Sequence, residues 1–233
     1  MLEYFKSLFK PYAYHNDFRF GGDAYCIAIS SMPQSMEVAK RCAESGKKVG
    51  VKVELFSATT KDESAELLKK EGLEWTWQKK SKSNLGAVFG CFLSHYRLWQ
   101  MAVEKDKTIL VLEHDAVFTG PLPDIAFDGL LNLGAPSWGK KPRSQASQGL
   151  STLTTKKLHG THGYFVSPRG AKKLIASARA KGVWPEDQFL SRRRFPFIQE
   201  YLPHPIKAID EFSTIQKTDL GRGYKTVDEM WKT

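Results

Sequence analysis

The sequence predicts an α/β fold, with helices flanking a mostly parallel central sheet, and three observations lead to this prediction. Strand-like and helix-like patterns alternate along residues 24–72, which is the order of elements in parallel sheets. A later segment, Thr108–Leu112, is apolar without alternation, as in strands that are covered on both faces. The chain has 233 residues, of which 41% are hydrophobic, and this is enough to bury one substantial core. We therefore expect a single domain of this class.

The first part of the chain contains two strand-helix units. Residues 24–31 form an apolar run that predicts a buried strand, and the helix after it has Ser35 as its predicted N-cap. Apolar and charged residues then alternate along residues 49–55, which is the period of a second strand. The helix that follows has Asp62 as its predicted cap and ends at Gly72.

The second part begins with the best-defined helix of the sequence. Its apolar stripe is spaced 4, 3, 4 and 3 residues apart and consists of Val88, Phe92, His95, Trp99 and Ala102. This helix leads into the strand at residues 108–112. Residues 134–157 are rich in Gly, Ser, Thr and Lys without an apolar period, which predicts a long surface loop. A further strand over residues 158–167 then precedes a helix that starts at Pro168 and ends at Gly182.

The positive charge of the chain, formally +10, is concentrated in one segment. There is no Asp or Glu between residues 129 and 185, and the ten Lys and Arg residues there match the whole excess. Five of these cations belong to the predicted loop: Lys140, Lys141, Arg143, Lys156 and Lys157. Such a segment indicates a polyanionic partner, such as nucleic acid, a phosphorylated glycolipid or an anionic membrane. A solubilising surface explains the same pattern equally well.

The cysteines and the apolar runs indicate the compartment. Cys26, Cys42 and Cys91 are odd in number and widely spaced, with no CxxC pair, so we expect a reducing cytoplasm and no disulfide framework. No run approaches the roughly eighteen apolar residues that a membrane span needs. An apolar stripe within Leu2–Tyr12 leaves peripheral contact with a membrane surface as an alternative.

Three polar residues, Glu113, His114 and Asp115, directly follow the buried strand at residues 108–112. In parallel α/β sheets ligands bind outside the carboxyl ends of the strands. Two carboxylates one residue apart can hold a hard divalent ion that bridges phosphates, and the oxygen ligands favour Mg²⁺ or Mn²⁺. The alternative is an acidic turn that only leaves the core and meets solvent.

Four ordered segments resemble motifs of glycosyltransferase family 25, the lipopolysaccharide-biosynthesis enzymes whose relatives include collagen galactosyltransferases. They are GCFLSHYRLWQMA (90–102), ILVLEHDAVF (109–118), GTHGYFVSPRGAKKLI (160–175) and WPEDQFL (184–190). The second segment is similar to the strand that ends in the family's Glu-Asp-Asp motif, with His114 where the family has Asp. The last resembles its Pro-x-Asp segment. Together these pieces cover most of the chain in the family's order.

The resemblance implies a GT-A-type single domain over residues 24–212, preceded by an N-terminal extension (1–23) and followed by a C-terminal tail (213–233). It also implies metal-dependent, inverting transfer of a sugar. Asp115 would coordinate Mn²⁺ or Mg²⁺, with Glu113 as second ligand or ribose contact and His114 as a further candidate ligand. Asp187 would be the base that accepts the proton of the acceptor hydroxyl, with Glu186 as the alternative.

The implied donor is a nucleotide sugar, first of all a UDP-sugar. The candidate donor-binding residues follow the first two strands or lie on the long helix: Ser30, Ser31, Ala58, Thr59, Ser94 and His95. The candidate acceptor-binding residues are Lys140, Lys141, Arg143, His162 and Tyr164. No P-loop or GxGxxG motif is present, which argues against ATPases and dehydrogenases.

Three functions fit these features. The first is transfer of a sugar to a hydroxyl of a glycan such as lipopolysaccharide. The second is transfer to hydroxylated bases of viral DNA, which the basic segment would favour. The third is an inactive GT-A-like module that binds polyanions, a reading that His114 in the acidic motif keeps open.

Overall fold

The computed structural model describes residues 22–77, 85–136 and 148–209. Its strands are β1 (Ala24–Ala28), β2 (Val53–Ser57), β3 (Ile109–Glu113), β4 (Ala116–Phe118), β5 (Leu130–Asn132), β6 (Gly149–Thr152), β7 (Gly163–Val166), β8 (Ile198–Leu202) and β9 (Ile206–Ala208). Its helices are α1 (Pro33–Lys48), α2 (Lys61–Lys70), α3 (Leu85–Glu104), α4 (Pro168–Lys181) and α5 (Glu186–Phe189). None of the helices within these ranges is long and apolar enough to cross a membrane.

The central sheet has seven strands in the order β2-β1-β3-β7-β5-β8-β6. Five of them run in one direction, since β1 is parallel to β2 and β3, and β5 is parallel to β8. Strand β7 is antiparallel to both β3 and β5, and β6 is antiparallel to β8. The predicted α/β class with a mostly parallel sheet is confirmed. The reversed β7 places Gly163 opposite Leu112, so the residues before β7 lie beside those after β3.

Apolar side chains cover the sheet on both faces. Ile109 and Val111 of β3 join the core under α3, which also contains Phe92 and Trp99. The alternate residues, Leu110 and Leu112, belong to a second core together with residues of α1 and of the two-stranded β4-β9 sheet. Strand β3 is therefore buried from both sides, which explains its unbroken apolar sequence.

The starts of α1 and α2 differ from the prediction. Helix α1 begins at Pro33 after Met32, so Ser35 lies inside the first turn, where its hydroxyl accepts a hydrogen bond from the Ile29 amide. Helix α2 is capped by Thr60, which forms a capping box with Glu63. The predicted caps Ser35 and Asp62 were wrong because proline suits the first helical position, and because Glu63 completes a box only with Thr60.

The predicted loop over residues 134–157 was wrong in its last part, because Gly149–Thr152 forms the edge strand β6. Its Gly, Leu, Ser and Thr residues show no clear alternation, and pairing with β8 decides the conformation. Lys140, Lys141 and Arg143 lie outside the described residues, as do most of the predicted N-terminal extension and all of the tail. Helix α4 does begin at Pro168 and end before Gly182, as predicted.

Candidate active site

The carboxyl ends of β1, β2, β3, β5 and β8 lie along one edge of the sheet, together with the starts of the reversed strands β6 and β7. This edge therefore carries Ser30 and Ser31 after β1, Ala58 and Thr59 after β2, and residues 113–115 at the end of β3. The reversed direction of β7 brings Thr161 and His162 to the same edge, where Glu113 N donates to His162 O at 3.1 Å. Ligands of open α/β sheets bind at such an edge.

A cluster of polar side chains lies where this edge meets α3. The His95 imidazole has its Nε2 3.6 Å from Glu113 Oε1 and its Nδ1 3.8 Å from Glu186 Oε1. The Tyr164 hydroxyl is 2.9 Å from His95 Nδ1, and the Thr161 hydroxyl donates to Glu113 Oε1 at 2.9 Å. His95, Glu186 and Tyr164 are buried, whereas the Glu113 side chain remains 28% exposed.

Each member of this cluster is placed by its own element. Alternation along β3 turns Glu113 to the face of Ile109 and Val111, which is the face that α3 covers. His95 lies on the apolar stripe of α3, as the sequence predicted. Glu186 starts α5, which is held against α3 by the aromatic contact of Phe189 with Phe92, with ring centroids 5.0 Å apart. Three distant parts of the sequence therefore meet here.

A buried hydroxyl supports the imidazole. Trp99 Nε1 donates to the Tyr164 hydroxyl at 2.9 Å, and this hydroxyl also bonds His95 Nδ1. The rings of His95 and Tyr164 stack with centroids 5.8 Å apart. The predicted acceptor residue Tyr164 is fully buried, so in this structure it orients His95 and does not reach the surface.

The two glutamates of the cluster have opposite electrostatic character. Burial alone would raise the pKa of Glu113, but attraction to His95 and the hydrogen bond from Thr161 lower it to about 2. Burial raises the pKa of Glu186 to about 8, against the attraction of His95 and with the repulsion of Glu113. Glu113 therefore favours the carboxylate form at neutral pH, whereas burial favours the protonated form of Glu186.

The imidazole lies between these two carboxyl groups. Burial by itself would lower the pKa of His95, but the charges of Glu186 and Glu113 raise the pKa above its ordinary value of 6.5. His162, which is also buried, shows the opposite behaviour, since desolvation lowers its pKa to about 4. The site therefore contains one histidine that favours the charged form and one that stays neutral.

The two adjacent carboxylates of α5 point to different surroundings. Glu186 is buried in the cluster beside His95. Asp187 is only partly buried, and its Oδ2 accepts a hydrogen bond from Gln188 Nε2 at 2.6 Å. Asp187 is therefore the one of the pair that solvent or a bound ligand reaches.

His114 and Asp115 form the tight turn between β3 and β4. Asp115 is 9% exposed, and its backbone carbonyl accepts a hydrogen bond from the Ile209 amide at 3.0 Å. Asp115 follows β3 at the same sheet edge as Glu113. The metal-capable group that converges among the described residues consists, however, of His95, Glu113 and Glu186, without Asp115.

Most of the predicted donor residues lie in the loops after β1 and β2, at this same edge. Ser94 is buried in α3, donates to Gly90 O at 2.7 Å and accepts from the Thr59 amide at 2.9 Å. Ser94 therefore holds the loop after β2 in place by its hydrogen bond with Thr59. Ser30 and Ser31 are exposed, and the Ser30 hydroxyl lies 2.9 Å from that of Ser57. Ala58 N donates to Ala28 O at 2.8 Å, which joins the ends of the first two strands.

Several site residues were missed by sequence analysis. Arg97 Nη1 donates to Ser57 O at 3.0 Å and to Thr59 Oγ1 at 3.2 Å, and so fixes the loop after β2. Arg97 lies two residues after His95, on the polar side of α3, and this position could have indicated from the sequence that it contacts the site. Glu200 and His204, 3.6 Å apart, form a second buried polar pair near the same edge. Neither belongs to a recognisable motif, so only the structure reveals them.

Comparisons with known proteins bear on the family resemblance of the sequence. Residues 27–126 match the model of glycosyltransferase family 25, described as LPS biosynthesis protein. The chain is 28% identical over 184 residues to a glycosyltransferase 25 family member of Drosophila melanogaster, covering 71% of this chain and 29% of that protein. It is 29% identical over 141 residues to procollagen galactosyltransferase 1 of Danio rerio, covering 53% of this chain and 23% of that protein.

A solved structure, that of CTP:phosphocholine cytidylyltransferase from Streptococcus pneumoniae, aligns with a TM-score of 0.39 at 12% identity, covering 80% of this chain and 92% of the other. The chain spans less than a third of the length of the fly and zebrafish relatives. The family match includes β3 with Glu113 and Asp115, and it ends before β7 and α5. The family model and the fly and zebrafish relatives confirm the resemblance to glycosyltransferase family 25 that the sequence motifs predicted.

Proposed function

We propose that this protein is a glycosyltransferase that moves a sugar from a nucleotide sugar to a hydroxyl group of a glycan, with inversion at the sugar carbon and a divalent metal ion. One observation carries this proposal beyond the family resemblance. Carboxyl groups from two separate motifs, Glu113 at the end of β3 and Glu186 at the start of α5, converge on His95 at the ligand-binding edge of the sheet. Such convergence of titratable groups with shifted pKa values is typical of active sites.

Asp187 is the proposed general base. Inverting transfer needs a group that accepts the proton of the attacking hydroxyl, and such assistance is worth about 10²–10⁴-fold in rate. Asp187 is partly exposed at the N-terminus of α5, whereas Glu186 is buried and has its pKa raised to about 8. Burial favours the protonated form of Glu186, which cannot accept a proton, and this favours Asp187 as the base. Glu186 remains the alternative if ligand binding removes its proton.

The residues after β3 have the donor types that a metal ion would need. The Glu113 carboxyl is ionised at neutral pH and partly exposed, and carboxylate oxygens suit Mn²⁺ or Mg²⁺. We propose that Asp115 and Glu113 hold the ion, with His114 as a further candidate ligand. Bound there, the ion would stabilise the negative charge on the diphosphate leaving group.

The loops after β1 and β2 are the proposed donor-binding surface. Their ends are held together by the Ala58–Ala28 hydrogen bond, and Arg97 and Ser94 brace the second loop from α3. A loop that is fixed before binding loses little entropy when it contacts a nucleotide. A UDP-sugar is the first donor to test.

The acceptor is proposed to be a glycan such as lipopolysaccharide. The acid-free segment between residues 129 and 185 favours a polyanionic acceptor, so hydroxylated bases of DNA are a second candidate. Neutralising Lys140, Lys141 and Arg143 together should raise the acceptor KM and flatten its salt dependence, by about one log–log unit for each lost phosphate contact. Acceptor use that does not respond to salt in the wild type would instead indicate a neutral glycan.

The decisive experiment is a panel of nucleotide sugars with Mn²⁺, scored for release of nucleoside diphosphate. We expect turnover with at least one donor, loss of turnover in Asp115→Asn, and full turnover in the matched control Asp128→Asn. Asp128 lies before β5, at the opposite edge of the sheet, in a half-exposed ion pair with Arg169. If no donor turns over, the binding-module alternative is favoured, and full activity in the presence of a chelator would refute the role of the metal.

The base is tested with two neighbouring variants. Asp187→Asn should lower transfer by about 10²-fold or more and leave donor affinity nearly unchanged, because the proton moves only in the transition state. An inactive Glu186→Gln together with an active Asp187→Asn would assign the role of base to Glu186. Loss of donor affinity in Asp187→Asn would mean that Asp187 binds the donor.

A further inference from the structure

The buried cluster under α3 contains polar atoms that the protein itself does not satisfy. His95 Nε2 and both carboxyl oxygens of Glu186 are buried and make no hydrogen bond within the described residues. The His95 side chain is 1% exposed and that of Glu186 is 3% exposed, so bulk water does not compensate them. Leaving one buried polar atom unpaired costs about 1–3 kcal/mol, so three of them in one place call for a ligand.

The spacing of these groups suits a metal ion. One ligand atom each of His95, Glu113 and Glu186 lies within 4.8 Å of the others, and His95 Nε2 is 3.6 Å from Glu113 Oε1. Atoms that share one ion at about 2.0–2.2 Å lie about 3–4.4 Å apart. A few tenths of an ångström of contraction would therefore bring the three side chains around an ion.

The surroundings supply the supporting contacts that metal ligands usually have. Tyr164 holds His95 Nδ1, which leaves Nε2 as the ligand atom, and Trp99 in turn holds the Tyr164 hydroxyl. Thr161 donates to Glu113 Oε1. A divalent ion bound there would take the place of the protons that His95 and Glu186 otherwise hold, because metal ligands must be deprotonated.

We propose that His95, Glu113 and Glu186 form a second, inner metal site for a divalent transition-metal ion, Zn²⁺ before Mn²⁺. One imidazole with two carboxylates is a donor set that Zn²⁺ accepts, and at a given site Zn²⁺ binds more tightly than Mn²⁺. The three ligands come from α3, β3 and α5, so the ion ties α5, which also carries Asp187, to the sheet. This site shares Glu113 with the proposed diphosphate site at Asp115 but does not use Asp115, and it goes beyond the proposed function.

The test is metal binding by the full-length protein without any nucleotide. The protein is stripped with a chelator and titrated with Zn²⁺ and with Mn²⁺ against a chromophoric chelator, while thermal unfolding is followed in parallel. In Asp115→Asn, in which only the inner site keeps all its ligands, we expect one Zn²⁺ per chain, an increase in Tm on binding, and weaker binding of Mn²⁺. Glu186→Gln should weaken Zn²⁺ binding by about 100-fold or more, because even loss of a supporting contact costs about 10–100-fold.

Two neighbouring variants serve as controls, because Asp187→Asn and Asp115→Asn should bind the inner ion like the wild type. Glu113→Gln provides a second ligand variant in case Glu186→Gln fails to fold. No bound ion, or equal affinity in Glu186→Gln and Asp187→Asn, would overturn the proposal and leave buried water as the occupant. Loss of the ion in Asp115→Asn alone would overturn it too. Donor turnover by the wild type tests the proposed function whichever result is obtained.

Discussion

The hydroxyl group of Tyr164 offers a sharp test of the polar cluster, because Tyr164→Phe removes one oxygen and little volume. This oxygen bonds both Trp99 Nε1 and His95 Nδ1, each at 2.9 Å. All three side chains are at most 1% exposed, so solvent does not replace the lost contacts. The variant therefore leaves two buried nitrogen atoms without a partner.

The expected cost follows from these two atoms. A buried polar group that loses its partner costs about 1–3 kcal/mol, so we expect Tyr164→Phe to lower the free energy of unfolding by about 2–5 kcal/mol. For a chain of this size this corresponds to a fall in Tm of about 5–15 °C. Because His95 loses its orienting contact, we also expect weaker Zn²⁺ binding and slower donor turnover.

Urea denaturation of the wild type and the variant measures this cost. Tyr201→Phe is the matched control, since Tyr201 is half-buried on β8 and we find no hydrogen-bond partner for its hydroxyl among the described residues. The control should change the free energy of unfolding by less than about 0.5 kcal/mol. If Tyr164→Phe costs no more than Tyr201→Phe, the buried hydroxyl does not hold His95 and the reasoning is wrong.

Two further predictions concern stability. Burial raises the pKa of Glu186 from 4.5 to about 8, so the stabilisation by protonated Glu186 is complete below about pH 4.5. The free energy of unfolding should then fall by about 1.4 kcal/mol per pH unit up to about pH 8. Glu186→Gln should remove this slope when urea denaturation is repeated across that pH range, and an unchanged slope would contradict the burial argument. A Cβ added to Gly90 would lie 2.4 Å from Thr59 O, so Gly90→Ala should lower the free energy of unfolding by about 1–3 kcal/mol. The same variant should bind the donor more weakly, as measured by isothermal calorimetry. Gly120→Ala, which has open space around its Cβ, should change neither quantity.

The local patterns of the sequence were sufficient for the elements with strong periodicity. The stripe on α3 and the unbroken apolar run of β3 each meet a core, and this is confirmed by their burial. The Pro168 start and Gly182 end of α4 were also correct, because these residues act through their own backbone geometry. The short strands β5 and β6 were missed, since three or four residues contain too little pattern to distinguish a strand from a loop.

The chemistry of the site was visible in the sequence only as a set of residue types. The motifs that resemble family 25 contain His95, Glu113, Tyr164 and Glu186, and the structure brings these four side chains together. Their roles could not be assigned from order alone. Tyr164 was predicted to contact the acceptor, yet it is buried and holds His95.

The sequence alone determined the α/β class, the edge of the sheet that carries the polar residues, and the family resemblance, because these depend on local periodicity and on motifs within short segments. Only the tertiary structure decided which neighbouring carboxyl group turns inward and which turns outward. Glu186 is enclosed by α3 and β3, whereas Asp187, one residue later, stays partly exposed. The physical reason is that burial and charge at a side chain are set by elements far away in the chain, here the reversed β7 and the packing of Phe189 against Phe92.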